Sequence, residues 1–266
     1  MFDVTILGSN GFIGNNLSAF LLDLGLKVHC ISRNTKFFQK NKFCNIPQTD
    51  FIVYLAESNF VSKADGENVL RNNISRLESA ISESCGAKFI YISSALVYGD
   101  KESSPRKEID PIISSDYYTK SKLECEEVAA AYDSLIIRLS NVYGLKMQHV
   151  NIFTDIMNQL NQKNIMVKNL MPIRDFLHLL DLCRFIYQVI ENWSPGIFNV
   201  GSGRGTQIKE IVEIFIENSS SNAKVQASAS CPENSCLILD IEKAKRVFKW
   251  QPKIDIYSGI EMLLEN

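Results

Sequence analysis

The sequence has little of what a metal centre needs. Its 266 residues include three histidines, His29, His149 and His178, which lie far apart along the chain. The seven cysteines contain no C-x-x-C pair, and no pair of histidines completes the half-site that Cys231 and Cys236 would provide. We therefore expect no bound metal, and reduced cysteines that are mostly packed as small apolar groups.

Long apolar runs and an excess of charge are also missing. The net charge is −2, which disfavours a basic nucleic-acid-binding surface or a polybasic membrane anchor. No apolar stretch is long enough to span a bilayer, and residues 1–8 have neither the basic region nor the cleavage site of a secretory signal. We therefore expect a cytoplasmic globular protein that binds neither nucleic acids nor membranes. Its 45% hydrophobic and 22% charged residues are ordinary for that class.

Short apolar segments alternate with amphipathic helical patterns through the first part of the chain. This alternation predicts βαβ units with right-handed crossovers, so the expected fold class is α/β with a Rossmann-type, doubly wound parallel sheet. The predicted strands are 2–7, 27–32, 51–56, 88–93 and 134–139, and the predicted helices are 12–26, 63–84 and 116–131.

After Tyr143 the regular alternation stops. We predict a first lobe at 1–140, with chain returns near 177–200, and a smaller, interleaved lobe at 141–266. The later predicted elements are helices at 151–163, 181–191, 207–218 and 241–248, a strand at 196–200 and a loop region at 219–230.

Three glycines, Gly8, Gly11 and Gly14, lie between the first predicted strand and the first predicted helix. Glycine there permits a tight turn and lets backbone N–H groups approach a pyrophosphate at the helix N-terminus. In this context the spacing G-x-x-G-x-x-G predicts that the first lobe binds a dinucleotide. The residues predicted to contact it here and at the end of the third strand are Gly8, Asn10, Gly11, Phe12, Ile13, Gly14, Leu55 and Ala56.

The end of the second predicted strand bears on the choice of cofactor. An acidic residue there would bind the ribose 2′-hydroxyl of NAD, but the sequence has Ser32 followed by Arg33. A small residue beside a planar, permanently charged guanidinium suits the 2′-phosphate of NADPH. The alternatives are a solvated loop arginine and a site for NAD.

Tyr118 and Lys122 lie one helical turn apart in YYTKSK and share a face of the predicted helix. A tyrosine hydroxyl ordinarily titrates near ~10, and a neighbouring ammonium stabilises the phenolate, which suits the pair to acid/base work. Lys122 can also hold a nicotinamide ribose, and Ser94, at the end of the fourth predicted strand, can hydrogen-bond a reacting oxygen. A Y-x-x-x-K pair alone also occurs on exposed helix faces. Tyr117 is a poor alternative, because the residue four positions later is the uncharged Ser121.

Together, GSNGFIG, SSALVYG and YTKSK resemble the extended short-chain dehydrogenase/reductases, specifically their nucleotide-sugar epimerase/dehydratase/reductase group. The resemblance covers nearly the whole chain. Its later segments are LSNVYG, IRDFLHLLD, GIFNVGSG and LDIEKAKRVFKWQP. It implies a nucleotide-sugar substrate, and a homodimer formed through the helices at 63–84 and 116–131.

The resemblance also implies roles for single residues. Ser94, Tyr118 and Lys122 match the family's catalytic serine or threonine and its acid/base pair. Asn141 and Arg174 match positions that contact the diphosphate of the sugar nucleotide, a role that suits the bidentate geometry of arginine. Asn73 matches a supporting asparagine at the cofactor, although it also reads as an ordinary helix-face residue.

The sequence departs from the family's pattern at three places. Residues 34–48 are too few for the helix and edge strand that usually lie there, so contacts to the adenine stay unassigned. Glu57 stands where a small residue is usual. Ala95 and Leu96 replace the Asp-Glu pair of the family's dehydratases, and Ala95 also replaces the cysteine of reductases that epimerise neighbouring carbons.

Because these departures disfavour elimination of water and epimerisation beside the ketone, the expected reaction is carbonyl chemistry at one sugar carbon. The first hypothesis is an NADPH-dependent 4-ketoreductase of a nucleotide-linked hexose or deoxyhexose, because of Ser32 and Arg33. The alternative is an NAD-dependent 4-epimerase similar to UDP-glucose 4-epimerase. A non-catalytic dinucleotide-binding protein is a third hypothesis, which the intact Ser94, Tyr118 and Lys122 disfavour.

Overall fold

Six parallel strands form the central sheet of the protein. The structure is a computed structural model, and it describes residues 1–58, 65–114, 116–147, 151–219, 221–228 and 235–265. The strands are β1 Phe2–Leu7, β2 Val28–Ile31, β3 Phe38–Gln39, β4 Lys42–Phe43, β5 Thr49–Tyr54, β6 Lys88–Ser94, β7 Leu135–Leu139, β8 Asn141–Tyr143, β9 Asn164–Val167, β10 Ile173–His178, β11 Gly196–Val200, β12 Gly205–Gln207, β13 Lys224–Ala227 and β14 Cys236–Leu237. The helices are α1 Phe12–Asp23, α2 Gly66–Ser82, α3 Tyr117–Ala130, α4 Ile152–Met157, α5 Leu179–Glu191, α6 Ile208–Ser219, α7 Glu242–Phe248 and α8 Ile256–Leu264, with a 3₁₀ turn at Ala95–Tyr98.

The order of strands in the central sheet is β11-β7-β6-β5-β1-β2. All five pairings are parallel. The chain adds β2 on one side of β1 and then crosses to add β5 on the other side. This reversal opens a crevice at the carboxyl ends of β1 and β5, where open α/β sheets bind their ligands. The predicted Rossmann-type fold class is confirmed.

Alternate residues of the inner strands face two different helical layers, as the two-residue period of a strand requires. Val4 and Ile6 belong to the core between the sheet and helices α1 and α5. Leu7 and Tyr91 belong to the core between the sheet and helices α2 and α3. Because both faces are covered, the strands are nearly continuous apolar runs, and this is why they were recognisable in the sequence.

A third apolar core lies among later segments of the chain. It joins helices α4, α6 and α8 to strands β8, β9 and β10. At its centre the rings of Tyr143 and Phe153 stack with their centroids 4.5 Å apart, and Phe176 meets Phe153 edge-on at 5.2 Å.

Several helix and strand boundaries that the sequence predicted are wrong. Helix α1 ends at Asp23 rather than at residue 26, because Gly25 adopts a φ of +85° that terminates it. Helix α4 ends at Met157 rather than at residue 163, since strand β9 begins at Asn164. The predicted loop at 219–230 contains strand β13, which pairs in parallel with β9. Helix α8 was not predicted, and residues 63 and 64 of the predicted second helix lie outside the described residues.

The segment between β2 and β5 forms a small hairpin of β3 and β4. Lys40 and Asn41 link the two strands with φ values of 46° and 64°, as the two central residues of a type I′ turn require. Asn41 accepts a hydrogen bond of 2.6 Å from Arg76, and Ser79 accepts one of 3.0 Å from the Phe43 amide, so the hairpin lies against α2. Within the described residues β2 remains the sheet edge, which confirms the expected lack of a further edge strand.

None of the helices in the described part of the chain is both long enough and apolar enough to cross a membrane.

Candidate active site

A cavity of about 830 Å³ lies at the crevice formed by the strand order. Its walls come from the loops that follow β1, β2, β5, β6 and β7 and from the first turns of α1 and α3. Ten residues predicted to contact a cofactor before position 57 line it. They are Gly8, Asn10, Gly11, Phe12, Ile13, Gly14, Ser32, Arg33, Leu55 and Ala56.

The glycine loop is shaped by close backbone contacts. A Cβ atom on Gly8 would lie 2.7 Å from the carbonyl of Leu55, and Gly8 has a φ of +97°. A Cβ atom on Gly14 would collide with the carbonyl oxygen of Gly8. Helix α1 starts at Phe12, between the second and third glycines, and the N–H groups of a first helical turn have no partner within the helix. This cradle fits the pyrophosphate of a dinucleotide.

Ser94, Tyr118 and Lys122 line the same cavity. Ser94 ends strand β6, and its Oγ accepts a 3.2 Å hydrogen bond from the Leu96 amide, which leaves the hydroxyl hydrogen for another acceptor. Asp116 caps helix α3 by accepting a 2.8 Å hydrogen bond from the Thr119 amide. The cap fixes the first turn of the helix, from which Tyr118 faces the cavity.

Lys122 is held from several sides. Its Nζ donates a 2.9 Å hydrogen bond to the carbonyl of Ile92 and forms an ion pair with Glu57. It lies 5.8 Å from the ring centroid of Tyr118. Burial lowers the pKa of Lys122, but the charges of Glu57 and of an ionised Tyr118 raise it more, so the net shift is upward and the ammonium form is favoured.

Glu57 is as buried as its partner. The side chains of Lys122 and Glu57 are 7% and 4% exposed. The second carboxylate oxygen of Glu57 accepts a hydrogen bond from the hydroxyl of Tyr91. Burial first, and then the charge of Glu57, raise the pKa of Tyr91, so that this hydroxyl stays a donor.

Tyr117, the neighbouring tyrosine, lies elsewhere. It is 37% exposed, does not line the cavity and packs against Gly66 at the start of α2. The difference follows from the helix period, which turns consecutive side chains about 100° apart.

Of the two residues predicted to bind a diphosphate, the structure brings one to the cavity. Asn141 lines it and donates a 3.3 Å hydrogen bond to the carbonyl of Asp175. Arg174 is absent from the lining residues. Its guanidinium forms an ion pair of 3.0 Å with Asp100 and donates to the carbonyl of Ser235, also at 3.0 Å.

Asn73 also lies outside the lining of the cavity. Its amide nitrogen donates to the carbonyl of Ser58 at 3.3 Å and to the hydroxyl of Ser121 at 3.1 Å, and its amide oxygen accepts from the Ser58 amide at 3.0 Å. It is 2% exposed. Asn73 therefore joins α2 to the chain after β5 and to α3, one residue before Lys122.

Some residues of the site were not predicted. Glu57 stood out in the sequence only as an acid in place of a small residue, and its pairing with Lys122 was not foreseen. Asp175 lines the cavity and is 1% exposed. Asp175 lies in the segment IRDFLHLLD, but the family resemblance assigned a role only to the preceding residue, Arg174. Phe43 and Leu237 gave no signal, because each belongs to a two-residue strand.

The described residues contain no group of three or more His, Cys, Asp or Glu side chains that could hold a metal ion. His149 and Cys231, which were weighed as possible ligands in the sequence, lie outside the described residues.

The chain is similar in sequence to known proteins over nearly its whole length. The family model for the NAD dependent epimerase/dehydratase family matches residues 4–201. A putative UDP-glucose 4-epimerase of Methanocaldococcus jannaschii is 24% identical, over 98% of this chain and 97% of that protein. The UDP-glucose 4-epimerase of Halalkalibacterium halodurans is 21% identical, over 99% of this chain and 93% of that protein.

The fold also matches a solved structure along its whole length. The structure of RMD from Pseudomonas aeruginosa complexed with NADPH superimposes with a TM-score of 0.88 and 18% sequence identity, over 100% of this chain and 98% of that one. The family model spans the glycine loop, Ser94, Tyr118 and Lys122 in one continuous match. The chain therefore belongs to the NAD-dependent epimerase/dehydratase family of enzymes.

Proposed function

We propose that the protein is an NADPH-dependent 4-ketoreductase that acts on a nucleotide-linked hexose or deoxyhexose. The observation that carries this choice is the position of Arg33, which lines the cavity beside Ser32 where β2 ends. Asn34 follows in the same wall, so the described residues that line this end of the cavity include no carboxylate to select a ribose 2′-hydroxyl.

The charge near Arg33 supports a phosphate ligand. Burial lowers the pKa of Arg76, an ionised Tyr54 would raise it, and repulsion from the charge of Arg33 lowers it further. A 2′-phosphate would reduce this repulsion, because a phosphate monoester carries roughly −1.5 to −2 charges at neutral pH.

Each side chain of the site then has a separate role in the reaction. A bound nicotinamide dinucleotide supplies the hydride. The segment Gly8–Gly14 would hold its pyrophosphate, and Lys122 would hold a ribose hydroxyl. Tyr118 gives its hydroxyl proton to the carbonyl oxygen as the carbonyl carbon becomes an alcohol, and Ser94 aligns that oxygen by a hydrogen bond.

Elimination of water is disfavoured. The positions after Ser94 that would need proton-transferring groups hold Ala95, which is buried, and Leu96, which is 43% exposed and lines the cavity. The carboxylates among the described cavity-lining residues are Glu57 and Asp175. The first is paired with Lys122, and the second accepts hydrogen bonds from the chain at Ser202.

The second candidate is an NAD-dependent 4-epimerase. Two relatives that span nearly the whole chain carry UDP-glucose 4-epimerase names, which favours this reaction. The same Ser94, Tyr118 and Lys122 would serve it, with Tyr118 first accepting and then returning a proton. The cofactor would stay bound through both half-reactions.

Reductase and epimerase differ in whether the nicotinamide is consumed. We expect stoichiometric loss of reduced-nicotinamide absorbance with nucleotide-linked 4-keto sugars, and faster loss with NADPH than with NADH. The control is the matching 4-hydroxy sugar nucleotide, which should give no epimer. Interconversion of two 4-hydroxy epimers at constant absorbance, by protein purified with NAD bound, would instead establish the epimerase.

Tyr118→Phe removes the proposed proton donor and keeps the ring. We expect turnover to fall on the order of 10²–10⁴-fold, the usual effect of losing a general acid or base, with dinucleotide affinity nearly unchanged. Steady-state kinetics and fluorescence titration of the cofactor measure the two effects. Tyr117→Phe is the matched control and should be mild, and near-normal turnover of Tyr118→Phe would refute the assignment.

Arg33→Ala tests the choice of dinucleotide. We expect the KM for NADPH to rise roughly 10- to 100-fold, as loss of a charged hydrogen bond predicts, while the KM for NADH changes little. Lys36→Ala makes the same change of charge at an exposed residue outside the cavity and should leave both values nearly unchanged. Equal effects of Arg33→Ala on the two cofactors would contradict the proposed 2′-phosphate contact.

Arg174 and Asn141 are proposed to bind the substrate diphosphate, for which Arg174 must exchange Asp100 for phosphate oxygens. We expect Arg174→Ala to weaken nucleotide-sugar binding roughly 10- to 100-fold in Kd and to spare dinucleotide binding. Calorimetric titration with each ligand separates the two. Arg71→Ala, at an exposed ion pair on α2, is the control. Equal loss of both ligands would show that Arg174 acts through the fold.

A further inference from the structure

The carboxylate of Glu57 is the feature of the site that its proposed chemistry does not use. Glu57 follows β5 in the sequence, lines the cavity and forms the ion pair with Lys122. The hydroxyl of Tyr91 occupies its other oxygen, so the carboxylate is held from both sides. A small residue at position 57 would leave the ammonium of Lys122 with the carbonyl of Ile92 as its partner.

We propose that Glu57 is a positioning residue that compensates the charge of Lys122 and thereby keeps Tyr118 in its proton-donating form. The proposal rests on the proposed roles of Tyr118 and Lys122. It adds a control of the protonation state of Tyr118, exerted by a residue that need not contact the substrate.

Lys122 is a buried cation close to Tyr118. A buried ammonium near a tyrosine stabilises the phenolate, because the interaction of charges is weakly screened away from water. A carboxylate in contact with that ammonium weakens its field at Tyr118, since the pair acts as a dipole. The phenolate is then less favourable, and the hydroxyl remains protonated to a higher pH.

Three other titratable groups near the pair carry no charge at neutral pH. Burial raises the pKa of the hydroxyls of Tyr54 and Tyr91 and of the thiol of Cys125, so all three are uncharged. The guanidinium of Arg76 is charged, but its charge acts on Tyr54, and it donates hydrogen bonds to Asn41 and Ser58 rather than to Glu57. The titratable or charged groups facing Glu57 and Lys122 from the elements packed around them are Tyr54 of β5, Arg76 of α2, Tyr91 of β6, and Tyr118 and Cys125 of α3.

Each direction of the reaction starts from a different protonation state of Tyr118. In reduction the O–H bond of Tyr118 breaks and its proton goes to the carbonyl oxygen, while a bound reduced nicotinamide would supply the hydride to the carbonyl carbon. In oxidation the phenolate must be present first, to accept the proton of a sugar hydroxyl. Glu57 therefore extends the pH range over which Tyr118 carries the proton that reduction needs.

The test variant is Glu57→Gln, which keeps the size and hydrogen-bonding capacity of the side chain and removes its charge. Phenolate formation by Tyr118 is measured by ultraviolet absorbance titration of the purified protein, as the difference between each protein and the same protein carrying Tyr118→Phe. We expect the phenolate of Glu57→Gln to appear roughly one pH unit or more below that of the wild type. The alkaline limb of the rate profile should move in the same direction.

Two further variants test whether the shift in phenolate formation by Tyr118 is caused by the charge of Glu57. Tyr91→Phe removes a hydrogen bond from Glu57 but leaves its charge, so it should move the titration much less than Glu57→Gln. Lys122→Met added to Glu57→Gln removes the uncompensated ammonium and should return phenolate formation to a higher pH. If Glu57→Gln does not fold, Glu57→Asp, which keeps the charge on a shorter side chain, should titrate like the wild type.

The outcomes separate this proposal from the proposed reductase. Unchanged phenolate titration in Glu57→Gln, or an equal shift in Tyr91→Phe, overturns the role of Glu57 whatever the reaction is. A wild-type enzyme that epimerises without consuming NADPH overturns the reductase, but a shifted titration in Glu57→Gln still supports charge compensation, because the absorbance measurement needs no substrate.

Discussion

The carboxylate of Asp175 holds together the late segments on which the second wall of the cavity depends. It accepts hydrogen bonds from the amides of Ser202 at 2.7 Å, Gly203 at 3.0 Å and Leu239 at 3.3 Å. The backbone carbonyl of Asp175 accepts a further hydrogen bond of 3.3 Å from the side-chain amide of Asn141. Burial raises the pKa of Asp175, while these donors oppose the shift. Segments from four distant parts of the chain thus meet at one buried acid, and without its charge their amides would lose a shared partner.

The two sides of the cavity are built by different means, which explains what the sequence could predict. The dinucleotide side is local, since Gly8 and Gly14 mark a loop between an apolar strand and a helix that are adjacent in the sequence. The other side takes lining residues from β8, β10 and β14, which pair across large gaps in the chain. Strands β8 and β14 have only three and two residues and show no periodic pattern, so they were missed although the fold class was predicted correctly.

The same distinction applies to single residues. Spacing alone separated Tyr118 from Tyr117, because the helix period decides which side of α3 each one occupies. Spacing could not predict that Arg174 would bind Asp100, which is 74 residues away, or that Asn73 would bridge to Ser121 across 48 residues. Residue type predicted the chemistry of these side chains, but only the packing of distant elements decided their partners.

The end of the described chain closes the third core. Lys253 and Ile254 donate their amides to the buried carboxylate of Asp181, and the indole of Trp250 donates to its carbonyl. Gly259 of α8 then packs directly on Tyr143. The six-stranded sheet, by contrast, is completed by β11. During synthesis the dinucleotide side can therefore form while the aromatic residues around Tyr143 still lack their cover, and a ribosome-bound chain without α8 would expose a surface that chaperones recognise.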